Sequence, residues 1–104
     1  MKINSREGWT ELIIDDNCEY DNFYLVANIL QTDFGLVFTQ KLNDLDSSYW
    51  DFKYKGCALT LHYHMMTWVS IFPTAFKEAS KADNEAVMKL HALLSPYFID
   101  HNLK

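Results

Sequence analysis

The chain has 104 residues, 49% hydrophobic and 15% aromatic, with only three glycines and two prolines. That is enough apolar surface for one buried core, too little chain for two, and the wrong composition for disorder. The net charge is −5 and lies in the first half: residues 1–51 hold ten acidic and three basic side chains, which disfavours phosphate-rich ligands such as nucleic acid and favours a basic partner.

Residues 9–15 (WTELIID) are rich in β formers and end at polar Asp15-Asp16-Asn17, which predicts a first strand. Asp21 is placed to cap a helix. Phe23, Val26, Ala27 and Leu30 follow at i, i+3, i+4 and i+7, one apolar helical face. Gly35 marks its stop, because glycine takes the left-handed position after a helix without strain. Residues 36–42 (LVFTQKL) predict a second strand, and residues 43–48 (NDLDSS) are a run of turn formers.

Residues 49–54 and 57–65 flank Lys55-Gly56, a two-residue hairpin turn. Turning there pairs Tyr54 with Cys57, Phe52 with Leu59 and Trp50 with Leu61, all apolar and on one face. The other face receives Lys53 with Ala58, Asp51 with Thr60, and Tyr49 with His62. A one-residue slip would mix the two sets, so the pattern fixes the register. Residues 68–72 (WVSIF) predict another strand, stopped by Pro73. Residues 74–80 suit a short helix. Asp83 is placed to cap a final helix with Val87, Leu90, His91 and Leu94 on one face, and Pro96 is expected to end it.

The order is β-α-β-β-β-β-α. Short connections between the last four strands favour an antiparallel meander. The expected fold is α+β: a two-layer sandwich with a mostly antiparallel sheet of about five strands and two helices on one face. Residues 1–104 are read as a single domain. Its other sheet face would be wet unless a partner covered it, and would carry Tyr49, Asp51, Lys53, Thr60, His62 and His64, with Thr39 and Lys41 beside them.

His62 and His64, at i and i+2 on a strand, point the same way. With Asp51 one strand over they could begin a metal site, but no second ligand pair at a known spacing is present. Cys57 falls on the core face, away from both histidines, and Cys18 and Cys57 lack CxxC spacing; both are read as reduced, packing cysteines. No GxSxG, HExxH or Gly-rich phosphate loop occurs. No apolar run approaches the roughly 18 residues of a membrane span, and no long apolar centre follows Met1-Lys2-Ile3-Asn4-Ser5-Arg6 as in a secretory signal. The expectation is a cytoplasmic, non-enzymatic protein without metal or cofactor, binding a protein through Asp44, Asp46, Tyr49, Asp51, His62 and His64. Tyrosine supplies a buried anchor and carboxylates meet Lys or Arg.

Tyr49-Trp50-Asp51-Phe52-Lys53-Tyr54-Lys55-Gly56, with Leu59-Thr60-Leu61-His62 and Ser70-Ile71-Phe72-Pro73, resembles small uncharacterised bacterial proteins of about this length. In type, by size, acidity and absent catalytic motifs, the chain also resembles the immunity proteins of contact-dependent growth inhibition and related toxin systems. That resemblance implies a binder that blocks a cognate toxin domain, commonly a nuclease with a basic cleft; it carries no residue roles over. Two alternatives stay open: a small metal protein or enzyme built on His62, His64 and Asp51, and a homodimer that covers the open sheet face with its own copy.

Overall fold

The structure is a computed structural model that describes residues 1–6, 8–15, 20–66 and 68–102, with the side chains of residues 6, 15, 20 and 99–102 left aside. Cys18 and the Asp16-Asn17 part of the first expected turn lie outside the described residues. Six strands, β1 (Lys2–Arg6), β2 (Trp9–Asp15), β3 (Phe38–Asn43), β4 (Ser47–Tyr54), β5 (Cys57–His64) and β6 (Val69–Pro73), form one sheet in the order β1-β2-β6-β5-β4-β3. Every neighbouring pair is antiparallel. Helix α1 (Tyr20–Thr32) carries the chain from β2 to the far edge at β3, and helix α2 (Lys81–Asn102) closes the fold. Both helices pack on one face of the sheet.

The expected α+β sandwich is the observed one, with a meander from β3 to β6. Its sixth strand is β1, which the sequence pattern did not announce. Its sequence, KINSR, has one strong β former, and it is a strand through pairing with β2, from Lys2↔Ile13 to Arg6↔Trp9.

The central hairpin has the expected register throughout, including Tyr54↔Cys57, Phe52↔Leu59, Trp50↔Leu61 and Tyr49↔His62. Lys55 and Gly56 both have positive φ (52° and 81°), the requirement of a type I′ turn. The core joins Leu12, Phe52, Leu59, Leu61, Val69 and Ile71 of the sheet to Phe23, Val26 and Leu30 of α1 and Val87, Leu90 and Leu94 of α2. All are essentially inaccessible, and burying each such side chain contributes about 1.5–3 kcal/mol before entropy is subtracted.

Two helix starts differ from expectation, while the expected stop of α1 holds. Asp21 lies in the first turn of α1 rather than before it, where its carboxylate suits the helix dipole. Gly35 (φ 69°) does turn the chain out of α1, and the Leu36 N–H reaches back to the Leu30 carbonyl at 3.0 Å. At α2, Ser80 rather than Asp83 caps the helix. The Asp83 N–H donates to Ser80 Oγ (3.1 Å) while the Ser80 N–H donates to Asp83 Oδ2 (3.0 Å), a reciprocal capping box.

Pro96 does not end α2, which runs on to Asn102. The proline removes one ladder hydrogen bond from an exposed side of the helix. The turns beyond it are held by packing: Phe98 is buried, and the Tyr97 ring meets Phe34 at 5.9 Å. A hydrogen bond from the Tyr97 hydroxyl to the Asp33 carboxylate raises the tyrosine pKa, helped by desolvation and by the carboxylate charge.

A β-bulge between Phe38 and Gln40 sets the far edge. Phe38 pairs with Phe52, but Gln40 pairs with Asp51, so Lys41 faces Trp50 on the helix side. Its Nζ sits 4.3 Å from the Trp50 ring centre. Lys41 therefore does not join the open face as its strand parity predicts, whereas Thr39 does reach Asp51, donating to its carbonyl at 3.3 Å.

Candidate functional site

On the sheet face without helices, one row crosses five strands: Ile13, Ser70, His62, Tyr49 and Leu42. A second row places Phe72, Thr60, Asp51 and Gln40 side by side. The face divides into two halves. Over β2 and β6 it is dry, with Glu11, Ile13, Ser70 and Phe72 all buried. Over β5 and β4 it is half-open, with Tyr49, Asp51, His62 and His64 partly exposed.

The dry half corrects the expectation of a uniformly wet face. Its cover comes from the chain's own aromatics. The Trp68 indole donates to Glu11 Oε2 at 3.0 Å. Trp68 precedes β6, whereas Glu11 lies beyond Ile13 in the opposite direction, so the indole spans the Ile13–Ser70 row. Farther along, the 3-10 turn Phe76–Glu78 lays the Phe76 ring against Trp9 (5.4 Å) and Phe72 (5.1 Å). Phe76 has φ 54°, a costly conformation for a bulky residue that these stacks offset.

In the half-open part, the His62 ring lies between Tyr49 (4.6 Å) and Phe72 (5.5 Å). Burial, and secondarily the charge of His64, push its pKa down to about 4, so His62 is neutral at physiological pH. Where the two halves meet, His62 Nδ1 and Ser70 Oγ are buried polar atoms without a partner among the described residues, and their residues are directly paired across β5 and β6. Asp51 Oδ1 accepts from the Thr60 hydroxyl at 2.7 Å, which leaves Thr74 to donate to Thr60 at 2.8 Å.

These groups do not assemble a nucleophile relay. Glu11 lies on the far side of Ser70 from His62 and is engaged by Trp68, so it does not orient the imidazole. Ser70 is wholly inaccessible. Cys57 is a half-buried free thiol. Burial, a hydrogen bond to Asp83 and that carboxylate's charge raise its pKa, which keeps it protonated and unreactive at neutral pH.

Nor do His62, His64 and Asp51 converge. His64 Nδ1 accepts the Met66 N–H at 3.0 Å, and its Nε2 turns to Asp46 Oδ2 at 3.9 Å. Among the described residues, no group of three or more His, Cys, Asp or Glu side chains is arranged to hold a metal ion.

The six residues expected to bind a partner thus fall into two neighbouring sets. Tyr49, Asp51 and His62 share the half-open face. Asp44 and Asp46 occupy the β3–β4 turn at the end of the sheet, and His64 links the sets. The acidic turn borders a groove lined by Ser48 and Tyr63, which belong to the helix-facing register, so this set opens toward the other side of the sheet. Leu45, fully exposed at the tip of the turn, was legible only as an aliphatic residue between two aspartates. Ser70, Glu11 and Trp68 gave no sequence signal, because they meet only through strand pairing.

The geometry defines a small α+β domain with a fully antiparallel six-stranded sheet and one helical layer. Within that class the chain belongs to the family described as "Protein of unknown function (DUF3630)", whose model matches residues 1–92, spanning all six strands, α1 and the first half of α2. No curated protein and no solved structure matches the chain. Among the described residues, no helix is long and apolar enough to cross a membrane.

Proposed function

We propose that the protein is a non-enzymatic binding domain for a basic protein, and in its specific form a cytoplasmic immunity protein that neutralises a cognate bacterial toxin, most simply a nuclease. The observation that supports this reading is the strip from Asp51 through Tyr49 and His62 to His64 and the Asp44–Asp46 turn. Tyr49, Asp51 and His62 set partly exposed rings and a carboxylate on the sheet face that neither helix covers, and His64 joins them to the exposed carboxylates of the turn at the sheet's end. The acidity of the first half of the chain would steer such a partner into place. Inhibition would be by occlusion: the carboxylates pair with the Lys and Arg of the toxin cleft, and Tyr49 supplies an aromatic anchor.

The test is co-purification of the tagged protein with the product of the gene immediately upstream, followed by an assay of that product's toxic activity. A one-to-one complex that abolishes the activity is expected, weakened by Asp44→Ala, Asp46→Ala and Tyr49→Ala. A catalytically competent, basic toxin domain from that gene that is neither bound nor inhibited would sink the reading.

A further inference from the structure

A basic partner needs a place to put its positive charge, and one groove has the matching chemistry. It lies where the β3–β4 and β5–β6 turns meet, has a volume of about 320 Å³, and is lined in part by Asp44, Leu45, Asp46, Tyr63 and Met65. The two turns are tied together. The Met65 N–H donates to the Asp46 carbonyl (3.0 Å) across them, and the Asp44 N–H closes the β3–β4 turn on the Ser47 carbonyl (2.7 Å), so the groove is built before any ligand arrives.

Its carboxylates are only half used. Asp44 Oδ1 accepts the Leu45 N–H at 2.9 Å, and Asp46 Oδ1 the Ser47 hydroxyl at 3.4 Å. No lysine or arginine among the described residues pairs with either group; the nearest cationic candidate is His64, 3.9 Å from Asp46 Oδ2. Beside them stands unusual apolar exposure, with Leu45 fully exposed and Met65 half-exposed. A concave site with an apolar wall and an anionic, uncompensated rim fits a cation on a hydrocarbon stem, and neither a bare metal ion nor an anion.

We propose that this groove is the subsite for a lysine or arginine side chain of the partner, its stem packed along Leu45 and Met65 and its charged head at Asp44 and Asp46. The proposal rests on the reading of the partner as a basic protein, but it can be tested without that partner. The ¹⁵N-labelled protein is titrated at low salt with Nα-acetyl-arginine methylamide, and in parallel with the citrulline analogue, which has the same shape without the charge. Saturable shifts confined to amides 44–48 and 63–66 are expected with arginine and none with citrulline. The apparent affinity should drop about two- to fivefold in Asp44→Asn/Asp46→Asn, and also in high salt. Equal responses to both analogues, shifts scattered over the surface, or none at all would overturn the subsite. If a toxin complex forms while the arginine probe fails, the subsite alone falls. Localised arginine binding with no toxin partner supports the subsite and removes only the immunity reading.

Discussion

Where the β2–β6 pairing stops at Leu12↔Ile71, the first residues of β2 still have backbone groups to satisfy, and Asn84 of α2 takes them. Its Oδ1 accepts the Thr10 N–H at 2.9 Å and its Nδ2 donates to the Gly8 carbonyl at 3.2 Å, so one side-chain amide mimics a neighbouring strand and fastens α2 to the sheet. Asn84→Ala loses both bonds and is expected to cost about 1–2 kcal/mol, read as a lower urea midpoint with an unchanged slope. Ser70 is the opposite case. Its hydroxyl is wholly buried and has no partner among the described residues, and a buried group without a partner carries its desolvation cost uncompensated. Ser70→Ala is therefore expected to leave stability unchanged or raise it by up to about 1 kcal/mol. A loss larger than that would mean the hydroxyl has a partner in solution.

At the level of elements, the β4–β5 hairpin was legible because its apolar residues alternate and Lys55-Gly56 allows one register only. The turn also shows where the sequence is short of its own optimum. Lys55 sits at φ 52°, a region that costs non-glycine residues about 1 kcal/mol and that asparagine enters more readily. Lys55→Asn should raise the thermal midpoint, with a gain of about 0.5–1 kcal/mol after loss of the weak contact between its ammonium and the Tyr54 ring. What could not be read had non-local causes. Strand β1 exists because β2 lies beside it. The bulge that moves Lys41 to the helix side is an irregularity of pairing with β4 that alternation cannot report. Pro96 reads as a stop, yet Phe98 and Tyr97 pack against distant elements and hold α2 together past it. The candidate site divides in the same way. The Tyr49–His62 pair and the acidic turn follow from local spacing. The Trp68–Glu11 cover joins residues far apart in the chain, so the dry half of the open face was invisible.

For the whole molecule, the half-open face ties stability to pH through one ring. In the unfolded chain His62 takes up its proton near pH 6.5; in the fold, burial first and the His64 charge second hold that event down at about 4. Between these values the unfolded state binds a proton that the folded state refuses, so unfolding becomes easier as pH falls. The contribution of neutral His62 is complete above about pH 6.5 and is lost progressively toward pH 4. A shift of this size corresponds to up to about 3 kcal/mol, reduced by the solvent that reaches a partly exposed ring. Urea midpoints measured from pH 7.5 to 4 should therefore fall more steeply for the native sequence than for His62→Gln. Carboxylates that titrate over the same range remain in both proteins, so the difference between the two curves isolates the imidazole. Parallel curves would show that His62 titrates normally and that the stack between Tyr49 and Phe72 is open to water. A partner that covers this face would deepen the burial, push the His62 titration lower still and bind less tightly in acid.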